Sequence, residues 1–173
     1  MAAWQLDNKN SNLTYVSTKS GAVAEVNHFG TLSGKVSDEG FAKIVIDLTS
    51  VETNIAIRNE RTQKHLFEVS KFASASVQTK FEADLLDSLQ QGQSTTAKLP
   101  FTLELHGQKQ TFDAQVRITK VNNQLLVSSM APVIIYAANF DLVKGIEALR
   151  NIAKLPSIST AVPVSFNLSF TAK

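Results

Sequence analysis

Apolar and polar residues alternate through most of the chain, the period-two signature of strands that bury one face. Near the start Leu13, Tyr15 and Ser17 share a face, and further on Ala42, Ile44, Ile46 and Leu48 oppose Phe41, Lys43, Val45 and Asp47. The runs Leu99, Phe101, Leu103, Leu105 and Phe112, Ala114, Val116, Ile118 flank His106-Gly107-Gln108-Lys109, which predicts a long hairpin turning over those four residues. Asn122-Asn123 predicts the next turn, leading into one strand over Leu125–Ile135, and Val162, Val164, Phe166, Leu168 and Phe170 predict a closing strand. The candidates add up to about eight strands, the size at which a closed barrel is either filled by its side chains or holds one small ligand.

One segment departs from the alternation. Val143, Ile146, Leu149 and Ile152, flanked by Leu142 and Ala153, recur at spacings of three and four and predict an amphipathic helix over Asn139–Leu155, capped by Asn139 or Asp141 and stopped before Pro156. Its polar face carries Lys144, Glu147, Arg150 and Lys154, a mixed set that suits a helix covering one barrel end better than one lying on a membrane, although transient membrane contact stays open. A shorter helical turn is expected over Asn59–Leu66, and Asp84–Gln91 fits either helix or loop. No repeat, linker or low-complexity tract divides the chain, so residues 1–173 read as one domain of mainly β class: a closed antiparallel barrel with one helix near the C-terminus.

Composition narrows the chemistry. A net charge of +2, with Lys and Arg scattered, gives no footprint for nucleic acid. There is no cysteine, hence no disulfide and no thiolate chemistry. His28, His65 and His106 stand at no metal-ligand interval, so no metal is expected; His28 reads as a strand residue and His106 as a turn residue. Ser33-Gly34 sits inside a strand pattern rather than at a nucleophile elbow, and Asp47, on a solvent face, makes no catalytic pair with Glu52. No run approaches the length of a membrane-spanning helix, which predicts a soluble chain. Met1-Ala2-Ala3 before Trp4 has the small residues expected after a removed signal peptide, and equally those of a short cytoplasmic N-terminus.

The segment Asp47–Arg61 ends a strand pattern in a polar stretch with Thr53 and Arg58 five apart, preceded by Trp4-Gln5-Leu6-Asp7 and Asn10-Ser11 and followed by Phe67-Glu68-Val69-Ser70-Lys71-Phe72. In this order the motifs resemble those of the YceI-like family of lipid-binding, lipocalin-like barrels, and the resemblance covers most of the chain. It implies a barrel enclosing a long isoprenoid or fatty amide, a periplasmic location, and Arg58 near the ligand entrance. The candidate ligand-binding residues are then Arg58, Asn59, Tyr15, Phe29, Phe67 and Phe101. The chain departs from the family where Arg-Asp-x-His-Leu becomes Arg58-Asn59-Glu60-Arg61-Thr62, where His-Leu moves to His65-Leu66, and where Asn10 and Lys19 stand in for histidines.

The function expected is non-enzymatic binding, storage or transport of a polyisoprenoid-type or other long-chain amphiphile, with no cofactor besides that lipid. An anionic head group would find a natural partner in Arg58, whose alternative role is to pair with Glu52 or Glu60. The competing readings are a periplasmic stress-response or interaction protein whose barrel is filled by its own side chains, and a hydrolase or isomerase of lipid head groups. Self-association into a homodimer is left open.

Overall fold

A computed structural model describes residues 3–173, apart from the side chain of Ala83; Met1 and Ala2, on which the signal-peptide expectation leans, lie outside the described residues. The alternation becomes twelve strands in one sheet: β1 (Trp4–Leu6), β2 (Asn12–Lys19), β3 (Val23–Phe29), β4 (Leu32–Val36), β5 (Phe41–Asp47), β6 (Val51–Glu52), β7 (Ser74–Lys80), β8 (Ser94–Leu105), β9 (Gln108–Val121), β10 (Gln124–Ser129), β11 (Val133–Tyr136) and β12 (Ala161–Ala172). Eight of them close a ring in the order β1, β4, β5, β7, β8, β9, β10 and β12, with Leu6 paired to Phe170 and Trp4 to Ala172 at the closure. At one end β2, β3, β6 and β11 extend that wall, β2 and β11 flanking the first half of β12. Neighbouring pairs are antiparallel, and closure leaves no edge along the ring.

The bends that separate ring strands from their extensions are built by polar residues. A single turn of 3-10 helix, Asn8–Asn10, divides β1 from β2, and another, Leu48–Ser50, divides β5 from β6. Asn8 joins these to the break at Gly30-Thr31: its Oδ1 accepts from Leu32 N at 2.8 Å, its Nδ2 donates to Gly30 O at 3.1 Å, and Gly30 N donates to Ser50 O at 3.0 Å. Backbone groups that leave the ladder are thereby satisfied across three adjacent strands.

Two strand expectations are corrected. The hairpin turn is two residues, His106 and Gly107, both with positive φ, and Gln108 already pairs with Leu105. The span Leu125–Ile135 is two strands, because Pro132 cannot donate to a ladder and Met130 N turns aside to Gln115 O at 2.9 Å.

Helices cover the ends. α1 (Ala56–Arg61) runs without a break into a π-helical turn, Thr62–Phe67, so the expected helical turn starts earlier and winds wider. α2 (Ala83–Asp87) resolves the ambiguous segment as helix. α3 is Val143–Ala153 rather than Asn139–Leu155: Ala137–Phe140 is 3-10, and Asp141 at φ 54° interrupts the winding. Neither Asn139 nor Asp141 caps it, Leu142 occupies that position without a side-chain bond, and Lys154 at φ 55° ends the helix before Pro156 is reached. Of the apolar stripe, Ile146 is buried and Leu149 half-buried, whereas Val143 and Ile152 are exposed, so the helix rests on the barrel by its middle.

Candidate functional site

The inward faces of the strands do not fill the barrel. A cavity of about 210 Å³ remains, and along β12 its wall runs from Val162 through Val164, Phe166 and Leu168 to Phe170. At about 3.3 Å per residue that is about 26 Å of length. Several inward side chains, among them Phe101, Phe112 and Phe166, are only half-buried although they point inside, because part of each faces open space. Leu142 and Ile146 from the α3 end and Leu66 and Phe67 from the π-helical turn line the same space, so the helices roof it. Among the described residues that line it, only Tyr15 and Thr79 carry polar side-chain atoms, and the Thr79 hydroxyl is occupied by donation to Pro100 O at 2.7 Å. Such a space suits an apolar chain and offers it almost no hydrogen bonding.

Tyr15, Phe29, Phe67 and Phe101 all line this cavity. Tyr15 and Phe29 lie 5.6 Å apart between ring centroids, and Phe29 and Phe67 lie 5.8 Å apart, an aromatic path from the wall to the roof. Phe101 sits edge-on to Phe112 at 4.5 Å.

Arg58 and Asn59 lie off the cavity wall. Asn59 closes the turn between β6 and α1: its Oδ1 accepts from Thr53 N at 2.7 Å and from Thr53 Oγ1 at 2.5 Å, and its Nδ2 donates to Glu52 Oε1 at 3.1 Å. The Asn59 amide, and after it the Asn54 backbone N–H that donates to the same oxygen at 2.7 Å, hold the Glu52 carboxyl below its usual range. Arg58 donates from Nη2 to the Thr53 carbonyl and from Nη1 to Glu25 Oε2 at 2.6 Å. The Thr53–Arg58 spacing is thus explained as a knot that orients α1. The ion pair joins Arg58 to Glu25 on β3, neither Glu52 nor Glu60, because the fold brings a distant strand against the helix.

Around that pair lies a polar cluster that the sequence reading did not isolate. Lys19 Nζ meets Glu25 Oε1 at 2.9 Å, and this bond, with Arg58 behind it, keeps the Glu25 carboxyl below its usual range despite partial burial. Asn27, two residues from both Glu25 and Phe29 on the same strand face, is buried and is the register partner of Tyr15. Burial pushes the Tyr15 phenol up to about 12, a rise that the neighbouring Asn27 amide and Arg58 partly offset. Asn27 Oδ1 has no hydrogen-bond partner among the described residues. Arg58 Nε is likewise buried without a partner. The available signal was the alternation of Glu25 and Asn27 with Phe29: polar groups on a face that is apolar elsewhere.

His106 takes part in no metal cluster, and the described residues contain no group of three side chains suited to one. Its Nε2 donates to Glu68 Oε2 at 2.7 Å and its Nδ1 lies 3.1 Å from Phe140 O, so the β8–β9 turn is tied to the end of the π-helical turn and to the segment before α3.

Comparison with known proteins places this geometry in context. The model of the YceI-like domain family matches residues 4–170. Among solved structures, the chain is similar to a polyisoprenoid binding domain from Saccharophagus degradans implicated in plant cell wall breakdown, with 37% identity, full coverage of both chains and a TM-score of 0.97. It shares its fold with BcnA of Burkholderia cenocepacia, at 17% identity over 95% of this chain and 98% of that one, TM-score 0.74. A YceI protein of Campylobacter jejuni is similar at 13% identity over 85% and 84% of the two chains, TM-score 0.56. No curated protein matches the chain.

Proposed function

Because the chain belongs to the YceI-like domain family, we propose that it is a non-enzymatic carrier or reservoir that holds one long-chain amphiphilic lipid, of polyisoprenoid type, inside its barrel. The observation that carries this reading is the elongated apolar cavity along β12, roofed by α3 and the π-helical turn. Each methylene moved from water into such a space contributes about 0.8 kcal/mol, so a long chain binds tightly with few polar contacts. The polyisoprenoid binding of the similar Saccharophagus domain supports the lipid class. A barrel filled by its own side chains is disfavoured by the half-buried inward phenylalanines.

Mass spectrometry of an organic extract of the purified protein tests the proposal, together with uptake of a polyprenol by delipidated protein. One long-chain molecule per barrel is expected. Protein that neither carries such a molecule nor takes one up would end this reading. Periplasmic residence belongs to the same proposal and is tested by cell fractionation.

A further inference from the structure

The polar cluster at one margin of the cavity has an unbalanced set of hydrogen-bonding groups. Tyr15 stands across the strand pair from Asn27, and its phenol carries an O–H that can donate onward. Asn27 Oδ1 is an acceptor with no donor, and Arg58 Nε–H a donor with no acceptor; both atoms are buried among the described residues. A buried amide oxygen left unpaired is destabilising, and native structures rarely tolerate one without a ligand or water to complete it. Asn27 is 5% exposed and alternates with the cavity-lining Phe29 opposite the cavity-lining Tyr15, so its side chain stands at the edge of the apolar space.

Charge here is already committed. Arg58 spends Nη1 on Glu25 and Nη2 on the Thr53 carbonyl, and Lys19 is bound to the other oxygen of Glu25. A phosphate or carboxylate would find one guanidinium N–H and one phenol O–H in its favour, but would also face the Asn27 amide oxygen and the Glu25 carboxylate. An uncharged group with both a donor and an acceptor completes the cluster: its hydrogen goes to Asn27 Oδ1, and its oxygen accepts from Tyr15 or Arg58.

Resting on the carrier reading above, we propose that Tyr15, Asn27 and Arg58 form the head-group receptor of this barrel and that it selects a long chain ending in a neutral hydroxyl over one ending in a phosphate. The receptor works by geometry, and Glu25 is a positioning residue that holds Arg58 in place and cancels its attraction for anions.

The test is displacement of the dye N-phenyl-naphthylamine from the delipidated full chain by four ligands of one chain type: phytanol, its methyl ether, phytanyl phosphate and the hydrocarbon phytane. The alcohol should displace the dye at concentrations about tenfold lower than the ether, which lacks the donor, and about tenfold lower than the phosphate. Asn27→Leu should bring alcohol and ether within about twofold while leaving phytane unchanged. Tyr15→Phe, which keeps the ring against Phe29, should weaken the alcohol and the ether together, because both oxygens accept from the phenol, while leaving phytane unchanged, and it serves if Asn27→Leu fails to fold. Equal displacement by all four ligands, or preference for the phosphate, overturns the head-group receptor while the carrier reading stands. Failure of every chain to displace the dye removes the carrier reading and this one with it.

Discussion

Gly145 of α3 lies so close to the π-helical turn that a Cβ added there would stand 2.6 Å from the His65 carbonyl oxygen and 2.8 Å from Leu66 Cα. Both obstacles include backbone, which cannot swing aside as a side chain can. The glycine therefore sets the distance between the two helical pieces that roof the cavity. In an open helix Gly→Ala stabilises by about 1 kcal/mol. Here the sign should reverse: Gly145→Ala should lower stability by about 1–2 kcal/mol through overpacking, read as a lower midpoint in urea. A raised midpoint would show that the roof is loosely seated.

The carboxylates give a pH dependence of definite sign. Glu68, chiefly through its bond from His106, Glu52 through Asn59 and Glu25 through Lys19 all titrate below the ordinary value of 4.5 in the folded chain. The folded state then binds fewer protons than the unfolded one, so this stabilisation is complete above about pH 4.5 and is lost as pH falls through the lowered values. The melting temperature should decline below about pH 4.5, and Glu68→Gln should make that decline shallower. An identical acid limb in Glu68→Gln would mean that the tie to His106 adds nothing.

The apolar stripe of α3 divides into a buried and an exposed part, and the division can be measured. Ile146 is 5% exposed, so Ile146→Asp should cost about 2–4 kcal/mol through an unpaired buried charge. Ile152 is 39% exposed, and Ile152→Asp should stay within about 0.5 kcal/mol of the parent. Equal losses in thermal denaturation would contradict the seating of the helix by its middle.

The same contrast shows how far the sequence carries. Strands were legible because their inward positions are apolar at period two, and the set from Val162 to Phe170 lines the cavity as that alternation implies. Interruptions were not legible where the bonds that hold them come from distant residues, as when Asn8 bridges to Gly30 and Leu32. The stripe of α3 followed its spacing, but periodicity cannot say how much of a helix reaches the barrel. Arg58 was found by its motif, whereas its partner Glu25 was not, since only the folded sheet sets β3 beside α1. Whether the interior is hollow depends on the summed volumes of inward side chains, which an alternation of apolar residues leaves undetermined.

Hollowness leads to the last prediction. Val164, near the middle of the cavity wall on β12, is half-buried because its side chain faces open space. Ile118 on β9 is 0% exposed and lies off the cavity wall, packed on every side. Enlarging both to phenylalanine separates a hole from a core. Val164→Phe grows into unfilled volume, so stability should stay within about 1 kcal/mol of the parent, while uptake of a polyprenol should weaken at least about tenfold because the chain and the new ring compete for the same space. Ile118→Phe has nowhere to place the added atoms and should cost about 1–3 kcal/mol. If Val164→Phe destabilised as much as Ile118→Phe and left uptake intact, the lipid would have to bind somewhere other than along β12.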